Sequence, residues 1–318
     1  MIGQISREIL GSDRILIVTH INPDGDAIGS SLGLYLSLKE MGKTSFLLYE
    51  SEPPELFGFL DGIEEALLGI DPSELNPGLI ISVDAAAQNR VAPCIDKLRP
   101  HIKLINIDHH PTNPNFGDIN LVSASANSTS SIIFQIMKST GYTPSHKPSK
   151  AFFTGLVTDT GCFRFEGVNS STFRIAAEMC ESGIDSYEIT QYLFEEFPVG
   201  RLTLERRLLE RLELLLEGKL ALSSLYLSDF EQAGAFLSDG ENLVNKLRET
   251  RGVEVGVLMT KVSDNLTRVS LRSKGKVDVS EIASKFGGGG HRRAAGIKSS
   301  TDFITLKGLL ISAIENNL

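Results

Sequence analysis

Long hydrophobic runs, paired cysteines and an excess of positive charge are all missing from this chain, and each absence removes a class of function. Of the 318 residues 41% are hydrophobic, yet no apolar run approaches the ~20 residues of a bilayer-spanning helix, so a membrane is not an expected partner. There are three cysteines, Cys94, Cys162 and Cys180, an odd number with no C-x-x-C pair. That argues against a disulfide framework and a zinc ribbon, and for a reducing compartment. The opening residues carry Glu8 and Asp13 where an export signal would be basic and then apolar; the expected location is the cytoplasm. The formal net charge is -9. A protein that wraps long nucleic acid carries a basic footprint instead, so no long duplex is expected as a partner.

What the chain does have is an uneven charge and a regular alternation of elements. Residues 1–219 carry 18 basic and 29 acidic side chains, and residues 220–318 carry 13 and 11. The acidic part could hold cations and the mildly basic part an anion, although charge counts alone are met as well by two solvated surfaces. In the first half, "RILIVTH" (14–20), "TSFLLYE" (44–50), "LIISVD" (79–84) and "KLINID" (103–108) read as strands. "AIGSSLGLYLSLKEMG" (27–42) and "NSTSSIIFQIMKSTG" (127–141) read as helices, with others expected over 148–158, 170–182 and 186–196. This β–α alternation predicts an α/β domain with a mostly parallel sheet covered by helices on both faces. Residues 199–217, "VGRLTLERRLLERLELLLE", have leucines at spacings of three and four and predict one connecting helix. Beyond Gly218 the pattern changes. "KLALSSLYL", "VEVGVLMTKV" and "LTRVSLRS" read as strands, and helices are expected near 241–250, 278–286 and 303–316, giving a smaller second α/β domain. The expected division is a first domain over 1–190, linker helices over 191–218 and a second domain over 219–318.

Ligands of an open parallel sheet bind outside the carboxyl ends of its strands. The first strand ends at His20 and runs into Asp24 and Asp26; another ends at Asp84, another at Asp108, His109 and His110; and the helix 148–158 ends at Asp159. Taken singly, an Asp after a strand is a turn former or helix cap, two adjacent histidines are surface residues, and the D-x-D pair is an Asx turn with Gly25 supplying its φ. Taken together these readings are strained. Carboxylates from four segments converging on one sheet edge repel each other unless a cation neutralises them. A donor set rich in carboxylate, with imidazole and no thiolate, suits Mn²⁺ or Mg²⁺ better than structural zinc. The number of donors exceeds the needs of one ion and fits two, the arrangement used for in-line displacement at phosphorus.

Four glycines, Gly287 to Gly290, precede "HRRAAG". Glycine lets backbone N–H groups approach an anion, and His291, Arg292 and Arg293 supply donors for a phosphate or terminal nucleotide. Gly288, Gly289, Gly290, His291, Arg292 and Arg293 are therefore candidate substrate-binding residues, with Arg164, just past "TDTG", a further one. Ser128, Thr129 and Ser130 read as helix caps, and the N-terminus they open is a candidate seat for a phosphate oxygen.

The motifs "HINPDGDAIGS", "VDAA", "DHH" and "TDTG", followed by "GGGGHRRAAG", resemble in order and spacing those of the DHH phosphoesterase superfamily and its associated C-terminal domain. The resemblance spans nearly the whole chain. It implies one metal on His20, Asp24 and Asp84 and a second on Asp26, Asp84, His109 and Asp159, with Asp84 bridging. It further implies that His110 contacts the scissile phosphate or the leaving group and that Asp108 orients the histidines. Two Mn²⁺ are the implied cofactors, with Mg²⁺ or Co²⁺ as substitutes. The compact two-domain form is similar to the nanoRNase and pAp-phosphatase type. That type hydrolyses short RNA oligonucleotides and removes the 3′-phosphate of adenosine 3′,5′-bisphosphate (pAp). Alternatives are a cyclic-dinucleotide or pApA phosphodiesterase, an inorganic pyrophosphatase and a non-catalytic nucleotide-sensing module. A second copy of the chain is a candidate partner through helix 199–217.

Overall fold

The structure, a computed structural model, describes residues 1–91 and 93–318. The chain forms two compact units, Met1–Glu196 and Phe197–Leu318. Among the described residues no helix is long and apolar enough to cross a membrane. Cys162 and Cys180 are free thiols, and the Cys94 side chain lies outside the described ones.

The first unit alternates as expected: α1 (Ile2–Gly11), β1 (Arg14–Val18), α2 (Gly25–Glu40), β2 (Thr44–Tyr49), β3 (Leu67–Leu68), β4 (Leu79–Val83), β5 (Leu104–Asp108), β6 (Ile119–Val122), α3 (Thr129–Ser139), α4 (His146–Asp159), α5 (Ser170–Cys180) and α6 (Ser186–Phe194). Its six strands run in the order β3-β2-β1-β4-β5-β6, and every pairing is parallel. β1 and β4 consist almost wholly of Ile, Leu and Val, β5 adds buried Asn106 and Asp108 to Leu104, Ile105 and Ile107, and apart from Arg14 all three are buried on both faces, as a covered parallel sheet requires. One face packs on α1 to α6 through a core that includes Ile17, Ile81, Ile107, Leu32, Phe134 and Phe152. The other packs Leu16, Val18 and Ile80 against the segment around Val91 and Ile95. The strand order reverses between β1 and β4, the switch point at which such sheets open a crevice.

The closest helix pair is α2 with α4, and glycine makes it so. A Cβ on Gly29 would lie 2.5 Å from Ala151 O and 2.6 Å from Gly155 N. One turn either side, a Cβ on Gly25 would collide with the Thr158 side chain and one on Gly33 with the Phe152 ring. Gly25 has no positive φ, so its role is this approach and not the turn expected of it. The pairing is antiparallel, and it brings the first turn of α2, with Asp26, to the last turn of α4, with Asp159.

The second unit contains α7 (Val199–Glu210), β7 (Glu213–Leu215), β8 (Leu220–Tyr226), α8 (Leu227–Ala233), α9 (Val244–Glu249), β9 (Val255–Ser263), β10 (Leu266–Ser273), α10 (Val279–Lys285), β11 (Gly289–His291), β12 (Ala294–Ser299) and α11 (Phe303–Glu315). Its sheet runs β11-β12-β10-β9-β8-β7. β8 and β9 are parallel, and the other pairs are antiparallel. One core packs the sheet on α10 and α11, with Val257, Leu271, Ile282 and Leu310; a second packs β8 and β9 under α7 to α9, with Leu204, Leu208, Leu225 and Leu247.

The helix expected over 199–217 ends at Glu210. Glu213–Leu215 instead pairs antiparallel with Leu220–Leu222, and Leu216, Glu217 and Gly218 turn the chain with φ of 54°, 56° and 80°. Leucine serves a strand as well as a helix, and the tight turn at Gly218 decides between them. Leu204 and Leu208 are buried within the second unit, so α7 is part of that unit's core. The stretch 191–218 is therefore shared, with α6 in the first unit and α7 and β7 in the second.

Candidate metal centre

The chemically competent side chains of the first unit come from four segments: His20, Asp24 and Asp26 between β1 and the first turn of α2, Asp84 after β4, Asp108 to His110 at the end of β5, and Asp159 at the end of α4. His20 follows β1 and is 5% exposed. Its Nδ1 lies 2.9 Å from Ile21 O, so that ring nitrogen carries the proton and Nε2 presents a lone pair. Nε2 stands 3.9 Å from Asp24 Oδ1 and 3.9 Å from Asp84 Oδ2. Asp24 caps α2, accepting from the N–H groups of Asp26 and Ala27 at 3.1 Å each. Asp84, just past β4, is buried and has φ of 54°. A left-handed L-residue costs about 1–2 kcal/mol, and that strain aims its carboxylate into the group.

A second set lies beside the first. His109 Nε2 is 3.1 Å from Asp159 Oδ2 and 3.7 Å from Asp84 Oδ1, and one donor atom each from Asp26, His109 and Asp159 falls within 4.8 Å of the others. The same separation holds for His20, Asp24 and Asp84, and for Asp84, Asp108 and His110. The structure thus brings together His20, Asp24, Asp26, Asp84, Asp108, His109, His110 and Asp159, and Asp84 belongs to two of the three sets and stands 3.7 Å from His109 of the other.

The hydrogen bonds order these groups. His110 Nδ1 is 2.7 Å from Asp108 Oδ1, which leaves Nε2 as its outward nitrogen. Asp108 also accepts from His109 N at 2.8 Å and from Asn113 Nδ2 at 2.6 Å. The buried Asn113 amide continues the network, donating to Ala85 O at 2.9 Å and accepting from Asn106 Nδ2 at 3.0 Å and Asn115 N at 2.8 Å. Asp26 takes the N–H groups of Thr129 and Ser130 at 2.6 and 3.0 Å, and Thr129 Oγ1 donates to Asp84 Oδ1 at 3.0 Å. The N-terminus of α3, expected as a seat for phosphate, is thereby occupied by a carboxylate of the protein. Ser128 does cap the helix, through Ser131 N at 3.0 Å.

Among the described residues no Lys or Arg pairs with Asp24, Asp26, Asp84 or Asp159. The electrostatic consequences follow. Burial, and then the Asp84 charge, push Asp26 up to about 7 against the opposing pull of His109 and Ser130. Burial and the Asp24 charge push Asp84 up to about 7. Burial and the charges of Asp26, Asp24 and Asp84 hold Asp159 well above the usual carboxylate range. Asp24 goes the other way: crowding by protein atoms opposes its ionised form, but His20 and the Ala27 N–H outweigh it and lower its pKa. Burial opposes the charged forms of Asp108, His110 and His20 as well, yet their mutual contacts with neighbouring Asp and His groups lower Asp108 and raise both histidines. Several carboxylates held partly protonated by one another, with lone pairs converging and no protein cation to match, fit divalent metal.

The remaining expected residues lie apart from this cluster in the sequence. Arg164 is exposed and donates through Nε to Gly161 O at 2.7 Å. In the second unit, Gly289–His291 is a strand and not a loop. The glycines there have structural causes. Gly287 has φ of 73°, a Cβ on Gly288 would strike Gly296 O, and one on Gly290 would strike Ala294 O. Of these four glycines, Gly287 and Gly289 have open space at the Cβ position. His291 and Arg292 are exposed, and Arg293 donates to Lys274 O.

Missing from the sequence reading are Asn113, the link that Thr129 makes beyond helix capping, and the close-approach role of the glycine stripe of Gly25, Gly29 and Gly33. The stripe has a signal, a repeat of four along α2 that lets a helix backbone approach closely. Thr129 has none that spacing alone could give, because its two partners are 45 and 103 residues away.

A strand-end cluster of carboxylate and imidazole at a sheet switch point is a candidate site for divalent metal, and the comparisons give the class. The chain belongs to the DHH family. Residues 14–160 match the DHH family N-terminal domain and residues 224–315 match the DHHA1 domain. The bifunctional oligoribonuclease and PAP phosphatase NrnA of Thermus thermophilus is 35% identical, over 97% of this chain and 88% of that one. The protein of the same name from Bacillus subtilis is 30% identical, over 92% and 91%. In structure, an exopolyphosphatase-related protein from Bacteroides fragilis superposes with a TM-score of 0.92 at 27% identity, over 99% of this chain and 95% of that one. The chain is accordingly a hydrolase of phosphoester bonds.

Proposed function

We propose that the chain hydrolyses short oligoribonucleotides to mononucleotides and removes the 3′-phosphate of pAp, using two divalent ions, with Mn²⁺ the best fit. The observation that carries this reading is the two adjacent donor sets, His20 with Asp24 and Asp84 and Asp26 with His109 and Asp159, with Asp84 Oδ1 3.7 Å from His109 Nε2. His20, Asp24 and Asp84 would hold one ion; Asp26, Asp84, His109 and Asp159 would hold the other. When bound, such ions activate water and neutralise phosphoryl oxygens.

The chain's own residues do the rest. Asp108, held by Asn113, fixes the His110 ring so that its Nε2 is offered to a phosphoryl or leaving-group oxygen. Thr129 ties Asp26 to Asp84, so the two carboxylates keep one spacing whether or not an ion is present. Gly288, Gly289, Gly290, His291, Arg292 and Arg293 of the second unit, with Arg164 of the first, are proposed to bind substrate. A net charge of -9 agrees with a substrate of few phosphates, for which a few cations suffice. The proposed setting is the cytoplasm, with a second copy of the chain as a partner.

The test is a side-by-side Mn²⁺ assay on a labelled RNA dinucleotide, a long single-stranded RNA, pAp and cyclic di-AMP. Fast dinucleotide cleavage with phosphate release from pAp is expected. A preference for cyclic di-AMP would move the chain to the cyclic-dinucleotide phosphodiesterases, and a preference for the long strand would overturn the proposal.

A further inference from the structure

A buried hydroxyl on a helix ordinarily donates to the carbonyl one turn back. In the first unit Ser31 donates to Ala27 O at 2.6 Å, Ser37 to Gly33 O at 2.7 Å and Thr154 to Lys150 O at 2.9 Å. Ser131, in the first turn of α3, finds Ser128 O at 2.7 Å. Its neighbour Ser130 has no such bond. Ser130 is fully buried, and among the described residues its Oγ has no hydrogen-bond partner. The carbonyl four residues back belongs to Ala126, which precedes the helix, so the ordinary outlet is missing. Leaving a buried hydroxyl unpaired is costly, and in a native protein such a group calls for a cause.

The surroundings supply one. A Cβ on Gly155 would collide with Ser130 Oγ and lie 2.8 Å from Asp26 Oδ1. The hydroxyl and the carboxylate oxygen therefore face one small niche, which is open because residue 155 has no side chain. Asp26 Oδ1 accepts from Ser130 N at 3.0 Å, and Oδ2 accepts from Thr129 N at 2.6 Å. Gly155 lies one turn before Asp159 on α4, and Asp26, His109 and Asp159 form one donor set. The unspent hydroxyl thus stands beside a carboxylate of that set.

We propose that Ser130 is a positioning residue for Asp26, its hydroxyl donating to the carboxylate when an ion is held by Asp26, His109 and Asp159. The inference rests on the reading of that set as a metal site. A carboxylate that ligates a cation keeps its orientation through hydrogen bonds to its remaining lone pairs. Two backbone N–H groups already serve Asp26, and both are fixed by the helix. A hydroxyl hydrogen rotates to suit its acceptor, so Ser130 supplies an adjustable third donor, idle without metal and engaged with it. Gly155 keeps the place open, a second task beside the close approach of Gly29.

The test combines thermal melts in chelator with Mn²⁺ binding isotherms on the full chain, for wild type, Ser130→Ala and Ser131→Ala. Ser130→Ala removes a bond that the metal-free fold does not make, so in chelator it should melt at or above the wild-type temperature. One of its two Mn²⁺ equivalents should bind roughly 10- to 100-fold more weakly, the loss typical of removing a ligand's hydrogen-bond partner, and the other should be unchanged. Ser131→Ala removes a made bond in the same turn and should melt lower with both equivalents intact. A lower melting temperature for Ser130→Ala, or the same weakening of Mn²⁺ in Ser131→Ala, overturns the inference. Wild type that binds no Mn²⁺ sinks the metal-site reading itself. Wild type that binds two equivalents, with Ser130→Ala binding both as tightly, sinks the inference alone.

Discussion

Adding one methyl group at Gly29 should damage the metal centre more than the fold. The added Cβ would stand 2.5 Å from Ala151 O, 2.6 Å from Gly155 N and 2.7 Å from Gly155 Cα. All three are backbone atoms, so no side chain can swing away. Ordinary contact distances begin near 3.5 Å, and α2 must move off α4 by about 1 Å. Against this, Gly→Ala in a helix interior is worth about 1 kcal/mol of stability, while overpacking costs about 1–3 kcal/mol. The net loss in stability is about 0–2 kcal/mol. Catalysis has no such compensation. α2 carries Asp26, α4 ends on Asp159, and both belong to one donor set; a displacement of about 1 Å costs on the order of 10²-fold in rate. Gly29→Ala should therefore fold, melt within a few degrees of wild type, and lose about two orders of magnitude in Mn²⁺-dependent cleavage of an RNA dinucleotide. A variant that melts higher and keeps full activity would refute the claim that this glycine contact positions the site.

The metal-free protein should lose stability as pH rises from 5.5 to 8. Asp26 and Asp84 titrate near 7 in the fold against an ordinary 3.8. The fold therefore takes up protons that the unfolded chain has already released, and stability drains away as pH climbs from about 4 through 7. For Asp84 alone the shift is worth on the order of 4 kcal/mol. His20 and His110, raised by their carboxylate partners, also stabilise below their ordinary pKa and lose that contribution as pH rises, whereas the lowered Asp24 and Asp108 act only in more acid solution. Thermal melts in chelator check this, and a melting temperature that stays level or rises toward pH 8 would contradict it. Asn113→Leu should strip the amide contacts from Asp108, Ala85 O and Asn115 N, at about 3 kcal/mol of stability. It should also lower kcat by loosening His110 while metal content is retained; unchanged kcat would show that the network serves the fold alone.

The sequence shows the principal strands of the first sheet because Ile, Leu and Val concentrate where a parallel strand is covered on both faces. It points to the candidate metal centre because the topology sends strand ends to one edge, where His20, Asp84 and Asp108 to His110 meet. What stays hidden is what depends on a distant partner. β3 and β6 are short edge strands defined by pairing. Leu214 and Leu215 carry the spacing of a helix, but the turn at Gly218 folds them against β8. The four-residue repeat of Gly25, Gly29 and Gly33 becomes meaningful once α4 lies across it. Thr129 links two carboxylates contributed by other segments.

The central claim is that Asp84 joins two metal sites whose ions make the chain a phosphoesterase. The most direct measurement strips the protein with chelator and titrates Mn²⁺ back while metal stoichiometry and dinucleotide cleavage are followed on one sample, for wild type and Asp84→Ala. Wild type should be silent in chelator, bind two equivalents and recover activity as they bind, and Asp84→Ala should bind less and stay inactive. Full activity in chelator, or normal binding and turnover in Asp84→Ala, would contradict the claim.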